Sequence, residues 1–492
     1  MERNCNRVKD GGDGALPKPA EEMCYAGGVF CARGRGAARR EAIEILRVNG
    51  AVLTETSSGL VRTISRWSLA ALIVNTVIGG GIFGLPSVVA GRLGKYGALA
   101  YLIAGAGVAL IAACLSEVAS QFRETGGPYL YARTALGRFW GIQIAWLTWL
   151  ARLTAASGTA NLFATYLAEF SPRAVQPFYR ATILATLIGI LAVINYRGVR
   201  SATRVSDSLT SAKIFLLLVF IGTGLGWLMR HGAVAAAPIS HTITPQDWLT
   251  VVLVLVFAYG GFEAVFFATG ETRDPRRDAP AALGYALALV TLIYTLVQVV
   301  VNGTLANPAA TERPLAEAAR HIFGSGAAGA IAGGALLSIY GYLGANMLHT
   351  PRLTFAMAEC GDFPRFFAAV HAKFRTPYVS IILYTVLLLT FTLAGNFRWN
   401  ITLSAVARLL TYSSFAIELL VLRRKHPQAD AFRVPAGTVV AILTLVFCVV
   451  LFVHTPLSNL SVVLGTIAIA SVNWLLVRAS DARPASPQEA GR

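Results

Sequence analysis

Residues 75–86 read Asn75-Thr76-Val77-Ile78-Gly79-Gly80-Gly81-Ile82-Phe83-Gly84-Leu85-Pro86 and sit inside an apolar segment of roughly residues 68–90. That segment otherwise has the length and composition of a membrane-spanning helix. Three consecutive glycines suit a helix interior poorly, each costing about 0.5–1 kcal/mol relative to alanine. Pro86 cannot donate into the i→i−4 ladder. In hydrocarbon a freed backbone group must find a partner, so a break survives only where it is buried in protein or lines a wet cavity. The competing reading is a glycine-lined face for close helix packing.

A second interruption far downstream favours the break. The apolar span 249–270 carries Phe257-Ala258-Tyr259-Gly260-Gly261-Phe262-Glu263 at its middle. Counting apolar segments, the first break falls in span one and the second in span six. Interruptions at corresponding positions of two halves point to the binding site of a secondary transporter.

Composition supports a membrane setting. The chain has 492 residues, 55% hydrophobic and only 14% charged, against about 25% charged in soluble proteins. At about 20 residues per span, there is room for about twelve helices between a polar tail (residues 1–66) and a short C-terminal tail (479–492); residues 67–478 form one transmembrane unit. The net charge of +17 would suggest nucleic acid in a soluble protein. Here Lys and Arg concentrate in the loops after even-numbered spans, roughly twofold over the others. This positive-inside pattern places both termini in the cytoplasm of a multi-pass protein of the plasma (inner) membrane and makes nucleic-acid binding an unnecessary reading. The first 30 residues hold no apolar run of the kind a secretory signal needs, and Ala37 to Val48 could form a short amphipathic helix. The six cysteines show no C-x-x-C pair, so no disulfide framework, zinc site or cofactor is expected, and incidental thiols suffice.

The remaining spans are expected at about 97–119, 139–170, 181–195, 209–229, the seventh after the loop Glu271 to Pro280, then 327–350, 378–395, 399–422, 434–453 and 457–477. A glycine–proline turn, Thr125-Gly126-Gly127-Pro128-Tyr129, follows span two, and a turn beginning at Pro351 follows span eight.

Together these motifs resemble the amino acid–polyamine–organocation superfamily, and its amino-acid permeases in particular. Gly79 to Pro86 is similar to the family's first-span motif and Phe257 to Glu263 to its sixth-span motif. The loop Arg273 to Pro280, the Thr125–Tyr129 turn, Ala356-Met357-Ala358, Gly361-Asp362-Phe363-Pro364 and Arg375-Thr376-Pro377-Tyr378 match further family positions, in family order, from about Leu60 to Arg478. The resemblance implies an all-α fold of five plus five helices related by inverted repeat, helices one and six broken, with two extra C-terminal helices. It also implies a substrate carboxylate on the first break and an α-amino group facing carbonyls of both. Carried over by position, this designates Ile78, Gly79, Gly80, Gly81 and Ile82, with Phe257, Ala258, Tyr259 and Gly260. Where Gly80 stands the family often has Ser or Ala.

Elementary electrostatics agrees. The half-helix after the first break presents unpaired N–H groups and a positive dipole end to an anion. The half-helices that end at the breaks offer free carbonyls to an ammonium or a cation. A zwitterionic amino acid meets both demands.

Ionisable residues within spans are functional candidates. Glu263, just past the second break, reads either as a proton carrier or gate or as a hydrogen-bonded structural carboxylate. In sodium-coupled relatives of the fold a cation sits between spans one and eight. In several permeases a span-five lysine replaces it, and Lys213 matches that position; it could exchange a proton during transport, or snorkel to the interface. Arg152 could pair with Glu117 or Glu263. Arg408 and Glu418 are expected to pair within the bundle or with interface groups. Asn346 reads as a lining residue or as a helix–helix hydrogen bond, Phe257 and Tyr259 as gate or packing, and His349 as structural.

The expected function is secondary transport of amino acids by alternating access, neutral ones favoured, as proton symport or exchange, with the substrate, protons and lipid bilayer as partners. A polyamine or other organic-cation carrier and a non-transporting amino-acid sensor are the alternatives. An enzyme is not expected, since H-E-x-x-H, a nucleophile elbow and a P-loop are all missing from the sequence.

Overall fold

The computed structural model describes residues 24–26, 29–31, 65–122, 127–198, 202–237, 241–263, 275–425 and 431–481. Most of the N-terminal tail, including the amphipathic segment Ala37 to Val48, lies outside the described residues, as do the second half of span six, the start of its following loop and most of the C-terminal tail. Two short strands, β1 Cys24–Ala26 and β2 Val29–Cys31, pair antiparallel. The other regular elements of the described chain are helices.

The helices run α1 Arg66–Val77, α2 Gly81–Leu93, α3 Gly97–Ser120, α4 Gly127–Leu136, α5 Arg138–Leu167, α6 Pro177–Arg197, α7 Ala202–His231, α8 Pro245–Tyr259, α9 Pro275–Thr304, α10 Pro314–Phe323, α11 Ser325–Glu359, α12 Tyr378–Ala394, α13 Phe397–Lys425, α14 Gly437–Val453 and α15 Leu457–Asp481. Among the described residues, seven helical segments are long and apolar enough to cross a membrane, and α8, α12 and α14 are shorter apolar helices. The outward faces of α14 and α15 expose Val439, Ile442, Val446, Val449, Ile469, Val472 and Leu476, as lipid-facing surfaces do. The centre is occupied by α5 and α13, which pack on each other and on most other elements. The protein is a multi-pass membrane protein built of helices.

The expected interruption in span one is present. Ser65 caps α1, its hydroxyl accepting from the Ser68 N–H at 3.3 Å. The helix stops at Val77, where Ile78 takes a non-helical ψ of 81° and the Gly79 N–H turns back onto the Val77 carbonyl at 2.8 Å. Helical geometry resumes at Gly81. Pro86 does not end α2, which continues to Leu93. Span six also stops as expected: α8 ends at Tyr259, and Gly261 follows at φ +113°, a value that favours glycine.

Three expectations are corrected. Gly127 to Tyr129 open the helix α4 rather than a turn, since Pro is tolerated in a first helical turn. Helix α11 runs through Pro351 to Glu359; proline removes one ladder bond, and burial of Met347, Thr350, Pro351 and Thr354 against the bundle holds the helix together. Cys114 and Cys448 are free and buried, but Cys360 is disulfide-bonded.

Two of the motifs with no part in the breaks meet each other. Asp362, fully buried, accepts from Arg138 at 2.5 Å, from the Tyr129 hydroxyl, and pairs with Arg133 at 3.3 Å. Its backbone carbonyl accepts from Asn473 at 2.8 Å. This clamp ties α4, α5 and α15 to the end of α11.

Candidate functional site

The two breaks touch. A Cβ on Gly81 would lie 3.2 Å from the Ala258 Cα, and one on Gly261 would lie 2.8 Å from the Thr76 carbonyl oxygen. Only glycine lets the backbones of α1–α2 and α8 approach this closely. The hydroxyl of Tyr294, on α9, stands 3.1 Å from both the Val77 and the Ala258 carbonyl oxygens. One hydroxyl, with a single proton to donate, thus bridges the carbonyl ends of α1 and α8 and leaves each carbonyl able to accept a further bond.

The triglycine is shared among three neighbours. Gly79 faces the Tyr342 ring of α11 (3.1 Å from a notional Cβ), Gly80 faces Thr159 of α5 (2.6 Å) and Gly81 faces α8. The packing reading of these glycines therefore holds together with the break reading. Among the described residues, the N–H groups of Gly80, Gly81 and Ile82 have no acceptor, and α2 has no side-chain cap. The positive end of α2 is left open there. The Ile78 N–H returns to Val74.

At the carbonyl end of α1 sits Lys213. Its Nζ donates to the carbonyl oxygens of Asn75 at 2.8 Å and Ile78 at 2.7 Å, and the residue is 7% exposed. The ammonium does not snorkel. It occupies the negative end of the first half-helix, where a metal cation would find the same oxygens.

A cavity of about 100 Å³ adjoins this point, bordered by Asn75, Thr76, Arg152, Lys213, Glu263 and Tyr342 among others. Asn346 and His349 also border it. The Asn346 amide oxygen accepts from Thr350 at 2.6 Å and Tyr384 at 2.7 Å, and its Nδ2 lies 3.4 Å from the Arg152 carbonyl and the Tyr342 hydroxyl. Asn346 thus both lines the cavity and links helices.

Glu263 is held in a buried network. Arg408 donates to it at 2.6 Å, with side-chain exposures of 5% and 6%. Arg408 also donates to Tyr412 at 3.0 Å, and the Gly261 N–H donates to Glu263 at 3.0 Å. A Cβ at Gly260 would lie 2.4 Å from the Arg408 guanidinium, so a side chain there would displace the arginine. Glu117 is taken by Arg423 and the Val434 N–H, which removes it as a partner for Arg152; Arg152 borders the same cavity as Glu263. Glu418 is fully buried with neither carboxylate oxygen hydrogen-bonded among the described residues, contrary to the pairing expected of it.

The side chain of Tyr259 is fully buried, its hydroxyl donating to the Tyr101 carbonyl at 2.8 Å, and Phe257 packs its ring 3.4 Å from a notional Gly81 Cβ. The Tyr259 side chain thus turns to the Tyr101 carbonyl, whereas the Phe257 ring lies against the first break. Sequence reasoning missed Tyr294, Tyr342 and Thr159. Tyr342 lies one turn before Asn346 on the same helix face, a spacing that could have found it.

A membrane protein of this build, with an interrupted first span set against the end of α8 and polar groups gathered on them, is a carrier. The amino acid permease family model matches residues 64–473, and the chain belongs to that family, within the amino acid–polyamine–organocation superfamily. The methylthioribose transporter of Bacillus subtilis is 30% identical over 86% of this chain and 92% of its own. The serine/threonine exchanger SteT of the same organism is 28% identical (79% and 90%) and its branched-chain amino acid permease BcaP 25% identical (86% and 93%).

Proposed function

We propose that this protein carries amino acids across the plasma membrane by secondary active transport, in which access to a site at the two breaks alternates between the faces of the bilayer and both termini are cytoplasmic. The observation that carries this reading is the contact of the breaks: three free N–H groups at the start of α2 stand beside the carbonyl ends of α1 and α8, a pairing that suits a carboxylate and an ammonium on one small molecule. Lys213 on the Asn75 and Ile78 carbonyls supports coupling to protons rather than sodium. An ammonium fixed at those oxygens leaves no vacancy for a metal ion, and a lysine can release and regain a proton. Ile78, Gly79, Gly80, Gly81, Ile82, Phe257, Ala258, Tyr259, Gly260 and Asn346 make up the proposed substrate site, with Lys213 and Glu263 as coupling residues.

Neutral amino acids suit this site better than cationic ones. Glu263, the carboxylate beside the breaks, is neutralised by Arg408, and Arg152 and Lys213 add positive charge to the cavity. A polyamine would meet no free anion among the described residues there. A second reading, transport of a neutral thiosugar, follows from the methylthioribose transporter, at 30% identity. Purified protein in liposomes, tested with radiolabelled neutral, acidic and cationic amino acids, putrescine and methylthioribose, distinguishes these. Accumulation of a neutral amino acid driven by a proton gradient is expected. Accumulation of methylthioribose alone overturns the reading, and binding without counterflow would make the protein a sensor.

A further inference from the structure

Two threonines of α5, Thr148 and Thr159, have a buried hydroxyl without a partner among the described residues, and Thr159 is the one that lies against the first break. The Thr154 hydroxyl donates to the Leu150 carbonyl at 2.8 Å, Ser157 to Leu153 at 2.9 Å, and Thr165 to Asn161 at 3.4 Å. This back-bonding is how a hydroxyl within a helix normally satisfies itself. Thr159 does not do so. It is 0% exposed, and its Oγ1 has no hydrogen-bond partner among the described residues. Its side chain lies instead against the first break, with Cγ2 at 2.6 Å and Oγ1 at 3.1 Å from the place a Gly80 Cβ would occupy.

A buried hydroxyl without a partner is unfavourable, and the groups beside it have the same deficit. The N–H groups of Gly80, Gly81 and Ile82 also lack acceptors. These four donors belong to one break and its neighbour on α5, and with no acceptor among the described residues they call for an acceptor with several lone pairs.

We infer that Thr159 is a substrate-binding residue, its hydroxyl joining the N–H groups of the first break in holding the carboxylate of the transported amino acid. The inference rests on the proposed transport of amino acids and adds to it a contact from α5. It also gives a reason for glycine at position 80. Any Cβ there would push the threonine away from the carboxylate.

Thr159→Val keeps the shape and removes the donor, while Thr159→Ser keeps the donor. In liposomes carrying an amino acid that the wild-type protein accumulates, Thr159→Val is expected to raise KM about tenfold or more, the usual effect of losing a hydrogen bond to a charged group. Maximal velocity should change little, and Thr159→Ser should stay within about threefold of wild type. Should the valine variant fail to insert, Thr159→Cys, similar in shape with a weak donor, carries the same comparison. An unchanged KM in the valine variant, or a lowered melting temperature with KM intact, overturns the role of Thr159 and leaves amino-acid transport standing. Absence of amino-acid uptake by the wild-type protein overturns both.

Discussion

The ammonium of Lys213 on α7 lies 2.7 Å from the carbonyl oxygen of Ile78, the residue at which the first half-helix ends. A second bond to Asn75 at 2.8 Å fixes the geometry. Lysine at this point supplies one positive charge to the negative end of α1, as a bound cation would. The ligands are backbone atoms of the segment that must move for access to alternate, so gain or loss of the proton would be felt directly by the break.

Lys213→Ala therefore should abolish or uncouple uptake driven by a pH gradient while weakening substrate binding less. Uptake into liposomes with and without an imposed gradient, beside equilibrium binding of the same amino acid, measures the two effects separately. Unchanged pH dependence in the variant would exclude Lys213 as the proton carrier.

Gly80→Leu should block binding without preventing membrane insertion. Even the first side-chain carbon would fall 2.6 Å from Thr159 Cγ2, so α5 would be driven off the break. Size-exclusion chromatography reports insertion and folding, and radioligand binding reports the site. Survival of uptake in this variant would move the substrate elsewhere.

Neutralising one member of the Arg408–Glu263 pair should cost about 3–5 kcal/mol, the usual consequence of leaving a buried charge alone. Both groups are almost completely enclosed, so solvent cannot replace the lost partner. Glu263→Gln and Arg408→Met are expected to lower the melting temperature severely, and the double variant to recover part of the loss. Additive losses would show that the two residues do not act as a pair.

Lysine and putrescine should compete poorly for uptake of a neutral amino acid. Both would add positive charge to a cavity that already contains Arg152, Lys213 and Arg408. Competition at concentrations comparable to the neutral substrate would require an anion that Glu263, bound to Arg408, does not supply.

The breaks were legible in the sequence because glycine runs act locally, and a membrane makes their cost plain. Gly79–Gly81 and Gly260–Gly261 marked both places where helix stops, and the apolar stretches located the long helices but not the short α4 and α10. Lys213 was found because an isolated lysine near the start of an apolar span stands out and matches the span-five lysine of the family that the sequence resembles. What escaped depends on tertiary contact. Tyr294 resembles any aromatic in an apolar helix until its hydroxyl is seen between two carbonyls, and Thr159 resembles its neighbours until its missing back-bond is noticed. The partner of Glu263 came from Arg408, 145 positions away, and local spacing carries no signal for such a pairing. Pro351 misled because its helix-breaking tendency was read without the packing that overrides it.

The most direct measurement compares three small molecules as inhibitors of uptake in liposomes: a neutral amino acid, its primary amide and its N-acetyl derivative. The two derivatives each remove one charged end and leave the side chain unchanged. If the first break holds the carboxylate and the facing carbonyls hold the ammonium, the amino acid should inhibit and both derivatives should fail by about a hundredfold or more, as expected when buried polar groups lose a charged partner. Inhibition by the amide or the N-acetyl compound as strong as that by the parent would contradict recognition of a zwitterion at the paired breaks.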